Sequence, residues 1–152
     1  MREVRWVSEQ GIEGIMRDFV KAVEQKDVEK ALSFLADDAD YVTPEGTFKG
    51  KEELRRYLTW VIRSSPDQRI MDAGINIMVK GGKAVYEHKV VATYKGTKYE
   101  VPTVCVYEFK GDKIQHLRTV CDRLTIVKQV AKGWLEKTIV NSLLSRMEKG
   151  LH

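Results

Sequence analysis

Cysteine is scarce in this sequence, with Cys105 and Cys121 the only two among 152 residues. The opening stretch MREVRWVSEQ also lacks the apolar run of a secretory signal peptide. Both features favour a reducing, cytoplasmic setting over an oxidising one. No uninterrupted apolar stretch approaches the roughly 18 residues that a membrane span requires, so we expect a soluble protein.

A strong excess of either charge is missing as well. Lys and Arg number 26 against 22 Asp and Glu, a net charge of +4, and the basic residues are spread from Arg2 to Lys149. Nucleic-acid-binding proteins concentrate basic residues on one face with exposed aromatics, so we expect no nucleic-acid partner. The histidines, His88, His116 and His152, lack the spacing of metal ligands. We therefore predict a domain without a metal or another cofactor.

The composition is that of a folded domain, with 43% hydrophobic and 32% charged residues. A chain of this length buries roughly two-thirds of its unfolded surface on folding, which is enough for a core without covalent crosslinks. No linker or internal repeat divides the sequence. We predict a single domain over residues 1–152, with a core at about residues 8–124 and a C-terminal helix at about residues 125–149.

Three N-terminal helices are predicted. From Ser8 to Val23, apolar residues recur at three- and four-residue spacing, with Ser8 placed as the N-cap. Asp27 caps a second, shorter helix that stops at the acidic pair Asp37–Asp38. Helical spacing returns from Lys51 to Ile62 and predicts the third helix.

The remaining core is predicted to be β-structure. The segments Asp40–Pro44 and Gly46–Gly50 predict a short hairpin. Longer β-type runs, separated by glycine-containing turns, follow at Gln68–Lys80, Lys83–Tyr94, Tyr99–Lys110 and Lys113–Asp122. This spacing predicts an antiparallel meander, and strands of about ten to thirteen residues indicate a strongly curved sheet.

The stretch Thr125–Met147 carries an apolar residue at every fourth position, which predicts a long final helix with a bend at Gly133. Its apolar stripe, with Trp134, requires a partner surface. Three partner surfaces are open for this stripe. Trp134 could cover the open mouth of the curved sheet as a lid, the helix could clasp a second subunit, or the helix could lie on a membrane surface. Glu136 and Glu148 interrupt the basic face and favour a homodimer over the membrane.

Five stretches of the sequence carry a family likeness: FLADDADYV (34–42), FKGK (48–51), VPTVCVYEF (101–109), GDKI (111–114) and LRTVCD (117–122). Through them the chain resembles the SnoaL-like family of the nuclear-transport-factor-2-like superfamily. The resemblance implies an α+β cone, in which three N-terminal helices pack in a strongly curved, mostly antiparallel sheet. It also implies a pocket for a small, mostly apolar molecule, because the superfamily includes isomerases, epoxide hydrolases, polyketide cyclases, dehydratases and non-catalytic binding domains.

The best-known reactions of the superfamily depend on residues that this chain replaces. By resemblance, Phe19, Thr43 and Cys105 occupy the places of the tyrosine and two aspartates of a ketosteroid isomerase. None of the three can abstract a proton from carbon as those acids do. Tyr41 matches a tyrosine of limonene-epoxide-hydrolase-like enzymes, but Thr119 stands where their relay has an aspartate.

His116 and Asp122 resemble the histidine and aspartate that SnoaL-like cyclases would use as acid and base. Alternation along the strand, counted from Thr119 and Cys121, places both side chains on the face away from the pocket. We therefore expect neither residue in the site.

The resemblance places Thr43 and Cys105 in the pocket wall, and alternation along the strands then predicts its other members. The predicted lining consists of Phe19, Tyr41, Thr43, Tyr99, Val101, Thr103, Cys105, Tyr107, Thr119 and Cys121. Such a wall, apolar with a few hydroxyl groups, suits a hydrophobic ligand. The alternative is a filled core with satisfied hydroxyl groups. Cys105 and Cys121 lie too far apart along the predicted hairpin for a disulfide and are interpreted as small core residues.

Tyr41 and His88 are the candidate catalysts. Histidine titrates near neutral pH, but alternation leaves open whether His88 or its neighbour Glu87 faces the pocket. A histidine exposed on the outer face is the alternative. The sequence predicts a cofactor-independent isomerase, lyase, cyclase or hydrolase, or else a non-catalytic carrier or sensor, or a dimeric assembly module.

Overall fold

Six strands and five helices make up the part of the chain that the computed structural model describes, residues 7–150. The helices are α1 (Glu9–Glu24), α2 (Val28–Ser33), α3 (Gly50–Ser64), α4 (Arg123–Val130) and α5 (Trp134–Met147). The strands are β1 (Leu35–Thr43), β2 (Gly46–Lys49), β3 (Arg69–Lys80), β4 (Lys83–Tyr94), β5 (Thr97–Lys110) and β6 (Lys113–Cys121). Residues 1–6, which include Arg2 and most of the opening stretch MREVRWVSEQ, lie outside the described residues, as does His152.

The six strands form one sheet in the order β2-β1-β6-β5-β4-β3. Strands β3 to β6 pair consecutively and antiparallel, which confirms the predicted meander. The β1–β2 pair is a hairpin, and β1 runs parallel to β6. The sheet curls without closing, and α1, α2 and α3 pack in its concave face. The predicted α+β cone is confirmed.

The predicted starts of the first two helices are confirmed by their caps. The Ser8 hydroxyl accepts a hydrogen bond from the Gly11 amide at 3.1 Å. The Asp27 carboxylate accepts one from the Lys30 amide at 2.9 Å. Each cap satisfies an amide that the helix itself leaves unpaired. The buried face of α1 consists of Ile12, Met16, Phe19 and Ala22.

The core lies between the helices and the concave face. Its largest fully buried side chains are Tyr107, Ile12, Met16, Leu35, Leu54, Ile114 and Leu117. Full burial of one such aliphatic side chain stabilises the fold by about 1.5–3 kcal/mol. The apolar residues that recur along the helices and along the strands therefore pack together in one core.

Strand β1 begins at Leu35 instead of Asp40, so the prediction that the second helix reaches Asp37–Asp38 is wrong. The helix ends at Ser33. The acidic pair lies in the irregular first half of β1, where the register with β6 shifts. Both carboxylates are exposed there, and Lys51 Nζ lies 3.7 Å from Asp37 and donates to the Leu35 carbonyl at 2.9 Å.

The C-terminal stretch forms two helices instead of the single helix predicted over about residues 125–149. Helix α4 ends where Ala131 becomes extended, with ψ 115°. Helix α5 begins after Gly133, at which a bend was predicted. Glu136 Oε2 accepts from the amide of Lys132 at 2.9 Å and from that of Gly133 at 3.4 Å, so the amides in the break are paired.

Helix α4 is fixed to the sheet by hydrogen bonds, although neither α4 nor α5 has a fully buried side chain. Gln129 and the backbone of Glu100 on β5 exchange two hydrogen bonds, of 2.8 and 3.0 Å. The exposed apolar residues of α5 are Trp134, Leu135, Ile139, Leu143 and Met147. Within residues 7–150, no helix has the length and apolar character needed to cross a membrane.

Candidate functional site

A cavity of about 210 Å³ lies between the concave face of the sheet and helices α1, α3 and α4. Buried Phe19 and Tyr107 lie at its inner end, where their rings meet edge to face at 6.5 Å. Trp60, which is 50% exposed, and Ser64 lie at its mouth. The remaining wall is mainly apolar, with hydroxyl, thiol and imidazole groups from the strands.

The register of three strands brings the polar wall residues together. His88 on β4 lies opposite Thr103 on β5, which in turn lies opposite Cys121 on β6. In the next inward-facing row, Cys105 lies opposite Thr119. Side chains two residues apart share a face of a strand, so all five point into the concave side.

Tyr41, Thr119 and Cys105 form a continuous hydrogen-bonded group, which we call the hydroxyl chain. The Tyr41 hydroxyl lies 2.8 Å from Thr119 Oγ1, and Cys105 Sγ lies 3.1 Å from the same oxygen. Each of the three groups carries one hydrogen, and two hydrogens suffice for the two bonds. One hydrogen therefore remains for a ligand, and it is on Tyr41 when Cys105 donates to Thr119 and Thr119 donates to Tyr41.

Burial keeps the ends of the hydroxyl chain protonated. It raises the pKa of Tyr41 well above its usual value and that of Cys105 to about 11. A protonated phenol is a hydrogen-bond donor, and a protonated thiol is a poor nucleophile. The hydroxyl chain can therefore donate a hydrogen bond to a ligand but does not supply a thiolate.

His88 faces the cavity and is only 4% exposed, so the alternative of a histidine on the outer face is wrong. Its Nδ1 lies 3.2 Å from the Tyr86 carbonyl oxygen. A carbonyl oxygen can only accept, so Nδ1 carries the hydrogen and Nε2 keeps its lone pair. Burial lowers the pKa of His88, so the imidazole is neutral at neutral pH. Within residues 7–150, Nε2 has no protein hydrogen-bond partner.

A polar network outside the cavity holds Tyr86 beneath His88. The Tyr86 hydroxyl donates to Asp72 Oδ1 at 2.7 Å, and Arg17 lies 3.1 Å from the same carboxylate oxygen. The bonds from Tyr86 and then Arg17 lower the pKa of Asp72. The Tyr86 ring lies 4.4 Å from the imidazole of His88, centre to centre. This contact and the Tyr86 carbonyl fix the orientation of the histidine.

Aromatic rings and one carboxylate surround the mouth. The rings of Tyr41 and Tyr57 meet edge to face at 5.2 Å, and Trp60 stacks on Tyr57 at 6.0 Å. The Tyr57 hydroxyl donates to Glu45 Oε2 at 3.2 Å. Glu45, which also lines the cavity, lies in the turn between β1 and β2.

The lining contains most of the residues that the sequence suggested for it. These are Phe19, Tyr41, Tyr99, Val101, Thr103, Cys105, Tyr107, Thr119 and Cys121, with His88. Thr43 is a correction, because its hydroxyl turns into the hairpin, accepting from the Glu45 amide and donating to the Gly46 carbonyl, both at 3.1 Å. Trp134 is a second correction, because it is 79% exposed on α5 and does not cover the mouth.

His116 and Asp122 lie outside the cavity. His116 is exposed on the outer face, 2.7 Å from Asp40, and Asp122 caps α4 by accepting from the Leu124 and Thr125 amides. The two cysteines are free thiols. Within residues 7–150, no cluster of three or more His, Cys, Asp or Glu side chains is arranged to hold a metal ion.

Sequence reasoning missed the contributions of α3, α4, the hairpin turn and the loop before β3 to the site. Glu45, Tyr57, Trp60, Gln68 and Ile126 all line the cavity. One signal was available, because Tyr57, Trp60 and Ser64 recur at helical spacing and so share one face of α3. The turn residue Glu45 has no comparable pattern.

The fold described above agrees with the family to which the sequence is similar. Residues 16–117 match the family model of the SnoaL-like domain. No curated protein matches the chain in sequence.

Solved structures share the fold at low identity. A nuclear-transport-factor-2-like protein of unknown function from Burkholderia pseudomallei is 18% identical, with a TM-score of 0.71, over 80% of this chain and 98% of its own. A hypothetical protein with a ketosteroid isomerase-like fold from Catenulispora acidiphila, solved in complex with trimethylamine, is 16% identical, with a TM-score of 0.69, over 76% and 90%. TerC, co-crystallized with polyporic acid, is 18% identical, with a TM-score of 0.70, over 80% and 99%.

Proposed function

Because this chain belongs to the SnoaL-like domain family, we propose that its cavity binds a small, mostly apolar metabolite and transfers a proton on it. The reaction classes are those of a cofactor-independent isomerase, lyase, cyclase or hydrolase. The observation that carries the proposal is His88, a neutral imidazole with Nδ1 bonded to a carbonyl and Nε2 free at the cavity. A general base of this kind contributes about 10²–10⁴-fold to a rate.

The size of the cavity limits the ligand. An apolar protein cavity of about 150 Å³ holds benzene, so the 210 Å³ found here suits one ring with a few substituents. The structural neighbours solved with trimethylamine and with polyporic acid support a small organic ligand. The hydroxyl chain and His88 are then the groups that orient it.

The two polar groups lie far enough apart to act on one ligand from opposite sides. Along the sheet, His88 and Thr119 are separated by two strands and two residues, so their Cα atoms lie about 12 Å apart. Both side chains point into the concave side of the sheet, where the cavity lies. A ring held there presents one edge to the imidazole and another to the Tyr41 hydroxyl.

The chemistry follows from the two protonation states. His88 Nε2 accepts a proton from a carbon next to a carbonyl group, and the electron pair of that C–H bond moves onto the carbonyl oxygen. Tyr41 donates its hydrogen bond to this oxygen as the negative charge develops. His88 then returns the proton to another carbon or to a leaving group, which gives isomerisation or elimination. The enolate adds to a second carbonyl in a cyclisation, and the same base activates water in a hydrolysis.

Hydrogen–deuterium exchange tests this chemistry without the natural substrate. Cyclohexanone is incubated with the protein in heavy water, and loss of its α-hydrogen signals is followed by proton NMR. Wild type accelerates exchange, and His88→Gln and Tyr41→Phe each lose about 100-fold of that acceleration. His116→Gln, which removes an exposed histidine, keeps the wild-type rate. Wild-type exchange no faster than buffer, or equal rates for wild type and His88→Gln, would contradict the proposal.

A non-catalytic carrier or sensor is the second candidate function. The observation that favours it is the hydroxyl chain, whose internal bonds are complete without a ligand. A protein of this kind binds cyclohexanone in the same cavity but does not exchange its α-hydrogens. Binding shown by ligand-observed NMR, combined with no exchange, selects this function over the enzyme.

Assembly as a homodimer in the cytoplasm accompanies either function. Support comes from the exposed apolar stripe of α5 and from Val104 and Val120 on the outer face of the sheet. The two free thiols suit a reducing compartment. Light scattering after size exclusion should give a dimer mass for wild type and a monomer mass for Ile139→Asp. Lys137→Asp, an exposed substitution outside the stripe, should remain a dimer, and a monomeric wild type would contradict the assembly.

A further inference from the structure

The cavity has a negative charge at its mouth and no described cation in its wall. Glu45 is the one acidic residue among the described lining residues, and no Lys or Arg occurs among them. His88 adds no positive charge because burial lowers its pKa. A ligand carboxylate or phosphate would therefore be repelled by Glu45 and would find no cation among these residues, whereas a cation would meet a partner.

The hairpin turn holds the Glu45 carboxylate at this position. Thr43 fixes the turn through its bonds to the Glu45 amide and the Gly46 carbonyl. The Tyr57 hydroxyl fixes the carboxylate itself at 3.2 Å, and the Glu45 side chain is only 28% exposed. Burial raises the pKa of Tyr57, and the nearby Glu45 charge raises it further. The carboxylate is therefore a group of the cavity wall that is held at Oε2 by Tyr57.

The nearest cation leaves one Glu45 oxygen available. Arg123 Nη1 lies 4.0 Å from Glu45 Oε1, at the limit of an ion pair, and the arginine side chain is 61% exposed. Exposed pairs at such distances contribute little and are readily replaced. A cation entering the cavity can therefore bind Oε1 while Tyr57 keeps Oε2.

Aromatic faces complete the surroundings of this carboxylate. The Tyr57 hydroxyl contacts Glu45, and one face of the Tyr57 ring stacks on Phe48 at 4.3 Å. The half-exposed ring of Trp60, 6.0 Å from that of Tyr57, presents an open face beside this pair. Aromatic faces attract organic cations, and the attraction grows when water is excluded. A hydrated metal ion gains little from such rings, but an alkylated ammonium group gains from both the rings and the carboxylate.

We infer that the ligand of this cavity carries a protonated amine, which binds Glu45 among the aromatic rings at the mouth while its apolar body extends toward Tyr107. This inference rests on the proposed function in one respect, that the cavity is the ligand site. It adds the chemical class of the ligand, an apolar amine of about one ring.

Three probes of similar size test the inference. N,N-dimethylbenzylamine is cationic at neutral pH, isobutylbenzene is its neutral isostere, and phenylacetate is an anionic compound of similar size. Dissociation constants are measured by ligand-observed NMR for wild type, Glu45→Gln and Asp18→Asn. Glutamine keeps the shape and the acceptor for Tyr57, and Asp18→Asn removes one exposed charge from α1, away from the lining.

Wild type should bind the amine about tenfold more tightly than isobutylbenzene and should bind phenylacetate weakest. Glu45→Gln should lose the preference for the amine and keep the affinity for isobutylbenzene, and Asp18→Asn should behave as wild type. Equal affinities of wild type for amine and isostere, or a preference that survives in Glu45→Gln, would overturn the amine site while leaving the cavity intact. Failure of all three probes to bind would overturn the cavity as the ligand site, and the amine site with it.

Discussion

The hydroxyl chain makes a quantitative prediction about stability. Thr119→Val removes Oγ1, the atom that both Tyr41 and Cys105 contact, at 2.8 and 3.1 Å. The shape of the side chain is nearly unchanged, so the effect is that of the lost hydrogen bonds.

The expected magnitude follows from what the substitution leaves unpaired. Tyr41 loses its partner in a largely buried position, and an unsatisfied buried hydroxyl costs about 1–3 kcal/mol. The thiol is a weak donor and adds little. Tyr41→Phe alone removes the other partner and should cost about 1 kcal/mol. Removing both partners leaves no orphaned hydroxyl, so Tyr41→Phe with Thr119→Val should cost less than the sum of the single changes by about 1 kcal/mol.

Urea denaturation followed by circular dichroism measures these free energies, with Thr47→Val, an exposed strand threonine, as the matched control. A loss of 1 kcal/mol also lowers the melting temperature of a domain of this size by about 2–4 °C. Additive single and double mutants, or a Thr119→Val no less stable than Thr47→Val, would refute the hydroxyl chain as an energetic unit.

Two further predictions concern His88 and the N-terminus of α4. Burial lowers the pKa of His88 in the folded protein. Below about pH 6.5 the unfolded chain therefore binds a proton at His88 that the folded protein does not bind. The free energy of unfolding falls as the pH drops toward the pKa of the folded state. Denaturation of wild type and His88→Gln between neutral and mildly acidic pH should show a steeper loss in wild type, and parallel curves would contradict the buried neutral histidine. Asp122 accepts from the Leu124 and Thr125 amides, so Asp122→Ala should destabilise α4 by about 1 kcal/mol and speed its amide hydrogen exchange, whereas Asp122→Asn should retain most of the protection. Unchanged exchange in Asp122→Ala would show that packing of Ile126 and Gln129 alone holds the helix.

Local signals in the sequence predicted most of the fold. Ser8 and Asp27 cap helices because their side-chain oxygens satisfy nearby amides, and this requires only neighbours in sequence. Strand β4 has the predicted bounds, Lys83–Tyr94, because turns with glycine precede and follow it. The start of β1 was missed because Leu35 is extended by pairing with distant Ile114, not by any local propensity.

The site depended on registers that the sequence does not encode locally. His88 faces inward because it pairs opposite Thr103, a pairing fixed only when β4 and β5 align. The resemblance placed Thr43 in the cavity wall, but in the structure its hydroxyl accepts a hydrogen bond from the Glu45 amide in the hairpin turn. Glu45 itself was missed because its role comes from a contact with Tyr57 on a different element. Long-range contacts decided each of these positions.

The cavity beside His88 is proposed to hold a small ligand. Native mass spectrometry with N,N-dimethylbenzylamine tests it most directly, by comparing wild type with Val101→Phe, whose larger side chain fills part of the 210 Å³. One amine should bind per wild-type chain, and a folded Val101→Phe should lose most of this binding. Equal retention of the amine by both proteins would contradict this proposal, as would failure of wild type to bind either the amine or isobutylbenzene.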